Sequence, residues 1–448
     1  MILHAETALL PEGWVRDVRI VVEDGRIASV SPGHAPEGLA YGCLLPAPVN
    51  LHSHTFQRAM AGLTEARTAG QDSFWTWRAL MYRFLERLGP EDVQAIAAQA
   101  MVEMAESGFS AVCEFHYLHH PVGGGTYADP AEMSARIAAA VAETGLGLTH
   151  LPVIYEQGGV DGRALAGGQL RFGSSPDLYA QLLEGAGRAL SAMPDAVLGV
   201  APHSLRAVSR DTLARVAGMI SGPVHIHIAE QLAEVAEVQA AWGARPVDWA
   251  VANLPLDGRW CMIHATQMTP GETVALARTG AVAGLCPITE ANLGDGIFDG
   301  PGWRAAEGAF GVGSDSNIRI SLAEELRLLE YSQRLNLKAR AVLADSRSTG
   351  RVLWEGAAQG GARAAGRGTG AIAVGEWADL LAPDTTDLRL EGLQGDRLLD
   401  AFLFAGRDGL VTDLWSAGRR IVRDGRHIAR EVVEARFRTT MRKLREAL

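Results

Sequence analysis

Cysteine is scarce in this 448-residue sequence, and no two cysteines lie close together: Cys43, Cys113, Cys261 and Cys286 each fall in a separate apolar segment that reads as strand. That spacing excludes a disulfide framework and predicts four buried, reduced thiols in a cytoplasmic protein. Basic runs are absent too. With 41 Lys and Arg against 52 Asp and Glu, the formal net charge is -11, so no face is available to bind a phosphate backbone, and nucleic acid is excluded as a partner. A small anion can still be held by a few local arginines. No apolar run approaches the roughly 20 residues of a membrane helix. The opening stretch, with His4 and Glu6, lacks the basic-then-apolar pattern of an export signal. No membrane association is therefore expected. Also missing is a glycine-rich turn after the first strand of the middle region, which a doubly wound nucleotide-binding sheet would show; Gly366-Arg367-Gly368-Thr369-Gly370 reads only as a loop.

What is present is an ordinary globular composition, 48% hydrophobic, long enough for a large core and a second small domain. The middle of the chain alternates short apolar runs at 43–51, 111–116, 147–155, 197–203, 224–229, 260–265, 282–286 and 310–315 with Ala-rich segments of helical spacing. Eight strands separated by helices predict an α/β fold, a (β/α)8 TIM barrel. At the N-terminus, 18–22 and 26–30 flank an Asp24-Gly25 turn and read as a hairpin. Far downstream, 371–374, 378–381, 410–415 and 419–422 are strand-like. A hairpin alone is too small to be stable, so the two chain ends are expected to join in one small β-sandwich. The predicted organisation is 1–47 sandwich, 48–366 barrel, and 367–448 sandwich plus a C-terminal amphipathic helix.

The polar residues of interest fall at the C-terminal ends of the predicted barrel strands, where barrel active sites are built. His52 and His54 leave the first strand on one face, two residues apart. An isolated His-x-His is more often a pair of surface histidines, but other strands supply matching ligands. His227 ends the fifth strand and Asp315 the eighth. Three imidazoles and one carboxylate suit a divalent ion with room for water. The choice is one zinc ion, although the ligand types alone leave iron and manganese open. His225 shares the face of His227, but one layer deeper, and reads as a core histidine. Glu230 is either an ordinary helix-start glutamate or, shielded from water, a proton donor. His264 is a fifth ligand or, preferably, a group that polarises the attacked atom. Such a set activates water against a trigonal carbon, with Asp315 accepting a proton and Glu230 delivering one to a leaving nitrogen. Amide, cyclic amidine and formimidoyl substrates all remain open at this point.

Longer motifs narrow the choice. Asn50 to Gly62, with Phe56-Gln57-Arg58-Ala59-Met60, is followed by Trp75-Thr76-Trp77-Arg78, Glu114-Phe115-His116-Tyr117-Leu118-His119-His120 and Ala201-Pro202-His203-Ser204-Leu205-Arg206. Together with the ligand order, these resemble the amidohydrolase superfamily and, within it, the formimidoylglutamate deiminases. The resemblance covers nearly the whole chain. It implies hydrolysis of N-formimidoyl-L-glutamate to N-formyl-L-glutamate and ammonia in histidine degradation, and a homodimer. It also implies substrate contacts at Gln57, Arg78, Tyr117, His203 and Arg206. Paired arginines suit a substrate with two carboxylates, because a guanidinium grips a carboxylate through two hydrogen bonds. Each has a plainer role open to it: Arg78 stacking on Trp75 or Trp77, Arg206 pairing with Asp211. The competing expectations are a deaminase of guanine or an adenosine derivative, which would need stacking surfaces more than arginines, and a non-catalytic relative.

Overall fold

The computed structural model describes the backbone of residues 1–65 and 74–446, and the side chains of 1–65 and 80–446. Among these residues the barrel is built from parallel strands buried on both faces, as the continuous apolar runs require. Val49–Ser53, Ala111–His116, Gly147–Ile154 and a broken fourth strand form one arc. Val224–Ile228, Trp260–His264, Val282–Leu285 and Phe310–Val312 form the other. Backbone bridges Val200 to Val224 and Ser204 to His227 join the arcs on one side, and Ser53 to Asp315 closes the ring on the other. The closure bonds are His54 N–H to Asp315 O and Asp315 N–H to His52 O, both 2.9 Å. The ring is thus sealed at the level of the predicted ligands.

Four expected strands need correction. The run 43–51 is two elements: Leu39–Pro46 belongs to the terminal sheet, and the barrel begins at Val49–Ser53. Pro46 and Pro48 lack the N–H groups a continuous ladder needs, so the chain changes sheets there. The fourth strand breaks into Val197–Leu198 and Ala201–Pro202, and the eighth ends at Val312, three residues before Asp315. Residues 371–374 form no strand.

The terminal sheet has eight strands among the described residues, in the order Arg426–His427, Arg419–Arg423, Val411–Ser416, Leu380–Pro383, Leu39–Pro46, Ile2–Leu10, Gly13–Glu23 and Arg26–Ser31. The pair Leu380–Pro46 and Leu381–Leu45 splices the two chain ends together. Leu3, Val18, Ile20, Leu44, Leu380 and Trp415 share one core, so the sheet folds over itself. Ile2–Leu10 was not expected as a strand. Its residues Leu3, His4 and Ala5 are buried in sequence, so the alternation that marks a half-exposed strand is missing. The hairpin turn is as expected, with Asp24 and Gly25 both at positive φ (48° and 79°).

Arg367 locks the sheet to the barrel. Its guanidinium donates to both carboxylate oxygens of Asp379 (2.9 and 3.2 Å), and to the carboxylate (2.9 Å) and backbone oxygen of Asp195. Arg367 and Asp379 side chains have no exposed surface, whereas Asp195 keeps a second partner in Arg419. Removing one partner of a buried pair leaves an uncompensated charge and costs about 3–5 kcal/mol. Arg367→Met is therefore expected to lower the free energy of unfolding, measured by denaturant titration, by that amount. A loss under about 1 kcal/mol, typical of an exposed pair, would show that Asp379 finds another partner.

The helix Arg430–Arg445 lies on Pro90–Ser107, tied by Lys443 to Asp92 (2.9 Å) and by Arg430 to Glu106. Among the described residues no helix is long and apolar enough to cross a membrane.

Candidate metal centre and active site

Strand exits from opposite sides of the sequence meet in one buried cluster. His52 and His54 come from the first barrel strand, His227 from the fifth, and Asp315 from just beyond the eighth. Their ligand atoms all lie within 4.8 Å of one another. Asp315 Oδ1 is 3.3 Å from His54 Nε2 and 3.5 Å from His52 Nε2, and His52 Nε2 is 3.0 Å from His227 Nε2. The framework holding Asp315 is polar and complete. Asn317 donates to Ser53 Oγ, His54 O and Asp315 O, while Asn50 and Ser314 bond each other across the same seam.

The donor chemistry fits a cation. A carbonyl oxygen only accepts, so the bonds from His54 Nδ1 to Phe115 O (2.9 Å) and His227 Nδ1 to His203 O (3.0 Å) place the ring proton on Nδ1. The Nε2 lone pairs then point into the cluster, the orientation that a carbonyl behind the ring imposes on metal-ligating histidines. Burial drives the His54 pKa down to about 3 against the pull of the Phe115 bond, and burial holds His52 and His227 well below the usual value. Neutral imidazoles and a carboxylate thus converge with nothing positive between them. His225 is the core histidine expected, bonded through Nε2 to Ala364 O at 2.8 Å.

Beside the cluster stands a second layer of acid and base. His264 Nε2 is 3.8 Å from both Glu230 Oε1 and Asp315 Oδ2, and its Nδ1 is 3.3 Å from Glu290 Oε1. Burial pulls the His264 pKa down, but the carboxylates of Glu230, Glu290 and Asp315 outweigh it and raise the pKa to about 10. Burial pushes Asp315 up to about 7, with His264 opposing and Glu230 and Glu290 adding to the rise. Ala229, His264 and Asp315 all take positive φ (50°, 69° and 43°). Non-glycine residues held there cost roughly 1–3 kcal/mol each, and such strain gathers at functional sites. Glu230 precedes the helix Leu232–Trp242 rather than starting it.

Above the metal cluster is a cleft whose lining includes Gln57, Tyr117, His203 and Arg206, four of the five residues that the resemblance offers as substrate contacts, together with Met81, Tyr155 and Phe172. Arg78 lies outside the described side chains. Gln57 Nε2 donates to Tyr117 Oη at 2.6 Å, leaving Gln57 Oε1 buried without a partner. Tyr117 is packed edge-on against Phe56 and Phe172. Arg206 Nε is likewise buried and unpartnered. Burial works against its charge, and nearby Glu234, Tyr155 and Glu230 more than restore it. Arg206 does not pair with Asp211. Glu290 is the residue of consequence that sequence reasoning missed. It sits in the first turn of Pro287–Leu293, accepts from Cys286 N–H at 3.0 Å and steers His264. A lone glutamate in a short helix carries no sequence signal for that role.

Residues 43–421 match the Amidohydrolase family, and residues 1–39 match the N-terminal domain of formimidoylglutamate deiminase HutF. The chain belongs to the amidohydrolase family. It is 49% identical over 436 residues to the formimidoylglutamate deiminase of Pseudomonas aeruginosa, covering 96% of each chain. The crystal structure of an amidohydrolase from Brucella melitensis superposes with a TM-score of 0.95 at 46% identity, covering 99% of both chains. An adenosine deaminase from Xanthomonas campestris with bound zinc shares the fold, with a TM-score of 0.83 at 23% identity over 99% of this chain and 98% of that one. In this amidohydrolase the buried His52, His54, His227 and Asp315 cluster is the metal site typical of the family.

Proposed function

We propose that this amidohydrolase is a formimidoylglutamate deiminase that converts N-formimidoyl-L-glutamate and water to N-formyl-L-glutamate and ammonia. The observation that carries this reading is the match along the whole chain, 49% identity over 96% of both proteins, together with the deiminase-type N-terminal domain. A divalent ion, zinc in this reading, would be held by His52, His54, His227 and Asp315. When bound it supplies Lewis acidity that makes water a nucleophile near neutral pH.

The chain's own groups do the rest. Asp315 Oδ2, turned towards His264, takes a proton from the attacking water. The formimidoyl carbon becomes tetrahedral, and the His264 imidazolium stabilises the charge that builds there. Glu230 delivers a proton to the terminal nitrogen as water adds; the proton held by Asp315 then passes to the same nitrogen while Glu230 takes up the proton of the new hydroxyl, so the carbon–nitrogen bond breaks, ammonia leaves, the formyl C=O forms and both carboxyl groups are reset. The glutamate part is gripped from the cleft wall. Arg206 brings an unpartnered buried N–H, which suits a substrate carboxylate, and Arg78 is proposed for the other. Gln57 offers a free carbonyl oxygen for a substrate N–H, Tyr117 fixes Gln57, and His203 borders the same space. A homodimer in the cytoplasm completes the reading, to be checked by sedimentation.

The direct test is ammonia release from N-formimidoyl-L-glutamate compared with guanine and S-adenosylhomocysteine. Preference for either purine compound would overturn the proposal. Arg206→Lys is expected to raise KM about 10- to 100-fold, since a charged hydrogen bond is worth about 1.5–3 kcal/mol, with zinc content unchanged. Equal loss of zinc in that variant would instead make Arg206 a support of the metal cluster.

A further inference from the structure

A second group of potential ligands meets the same geometric limit as the first. His264, Cys286 and Asp315 each offer an atom within 4.8 Å of the others, and all three are buried. Asp315 belongs to both groups, but its two oxygens face different ways. Oδ1 is the atom near His52 and His54, while Oδ2 is the one 3.8 Å from His264 Nε2. One carboxylate can therefore bridge two cations. His264 is also oriented as a ligand. Its Nδ1 lies against Glu290 Oε1, which in turn accepts the Cys286 backbone N–H, so a carboxylate stands behind the ring and Nε2 points forward. Glu230 Oε1, also 3.8 Å from that Nε2, can close a fourth position.

We propose that His264, Cys286 and Asp315, completed by Glu230, form a second zinc site that fills when zinc is in excess and inhibits the enzyme. The inhibition part rests on the roles given above to Glu230 and His264; the binding part does not. The set of one imidazole, one thiolate and carboxylate oxygens matches borderline-soft zinc and the softer cadmium better than magnesium or calcium. Tetrahedral zinc, with bonds of about 2.0–2.3 Å, draws its ligand atoms to within about 3.5 Å of one another, so the group must close by about an ångström, as the first cluster must. Binding displaces the Cys286 thiol proton and any proton on His264 Nε2 to solvent. Two dications sharing one carboxylate repel each other, which makes the second ion the weaker. Once bound, it takes the place of the proton on His264 Nε2 and holds an oxygen of Glu230, so His264 no longer meets the developing charge as an imidazolium and Glu230 no longer delivers its proton.

The test uses the full chain loaded with one equivalent of zinc, dialysed against rising zinc chloride. Bound zinc is expected to climb from one to two per chain in the wild type and to stay at one in Cys286→Ser and in Cys286→Ala. Cadmium chloride as the second equivalent is expected to produce a sulfur-to-cadmium charge-transfer band that both variants lack. Excess zinc is expected to slow deimination about 10²-fold in the wild type, the scale of losing a general acid, and to leave the variants near their basal rate. A wild type that stops at one equivalent, or variants that take up the second ion or show the band, overturns the site. Inhibition of the wild type at one bound equivalent overturns it as well. Stoichiometry and absorbance need no substrate, so a chain that binds two ions yet fails on formimidoylglutamate refutes the functional reading and leaves the site standing.

Discussion

Glu230→Gln is expected to lower kcat about 10³-fold with the metal content unchanged. Glutamine keeps the shape and the hydrogen-bonding capacity of the side chain but cannot give up a proton, and a positioned general acid contributes about 10²–10⁴ in rate. The substitution also removes one of the charges that hold His264 as an imidazolium, since Glu230 leads the carboxylates raising its pKa. Both the proton to the leaving nitrogen and the charge opposite the attacked carbon are thus weakened. Glu230 is not among the four clustered ligands, so bound metal, measured by atomic emission, should remain at one ion per chain. Turnover within about threefold of wild type, far short of a general acid's contribution, would take Glu230 out of the chemistry. A matched loss of metal would make it a ligand.

His227→Ala is expected to have the larger effect, abolishing both tight metal binding and turnover. The ring is one of the four groups that make up the cluster, with Nε2 3.0 Å from His52 Nε2. Its loss leaves two imidazoles and one carboxylate, an incomplete set for a tetrahedral ion. Because a bound divalent ion brings the pKa of water from about 16 to about 7, activity at neutral pH should fall by at least about 10⁴. Chelation of the wild type should reproduce the loss, and zinc should restore the wild type but not the variant. Fold integrity can be followed separately: His227 is a single ring at the barrel mouth, whereas the pairing of Val224–Ile228 with Trp260–His264 runs through backbone groups that the substitution leaves in place. Activity that survives stripping of the metal would refute the assignment of the cluster.

Much of this was legible from the chain itself because the chemistry sits at predictable points of a repeating pattern. Each apolar run of the middle region marked strand, although 43–51 is two strands in two sheets, and His52, His54, His227, His264 and Asp315 stood at or near the run ends, where a barrel gathers its functional groups. The meeting of His52, His54, His227 and Asp315 in one cluster, with Glu230 beside it, follows from that local pattern. So does the joining of the chain ends, since neither hairpin could be stable by itself.

Other features depended on neighbours hundreds of positions away. The sequence could not show that Leu39–Pro46 leaves the barrel to pair with Leu380–Pro383, because an apolar run reads alike in either sheet. Nor could it show that Ile2–Leu10 becomes an inner strand, since burial on both faces erases alternation. Glu290 and Arg206 acquire meaning from what lies against them, His264 in one case and the cleft in the other. Residue type and order determined which chemistry this protein can perform. The closing of the ring, with Asp315 bonded to the backbone of His52 and His54, decided where it happens, because hydrogen-bond register between distant strands is settled by packing and not by local sequence.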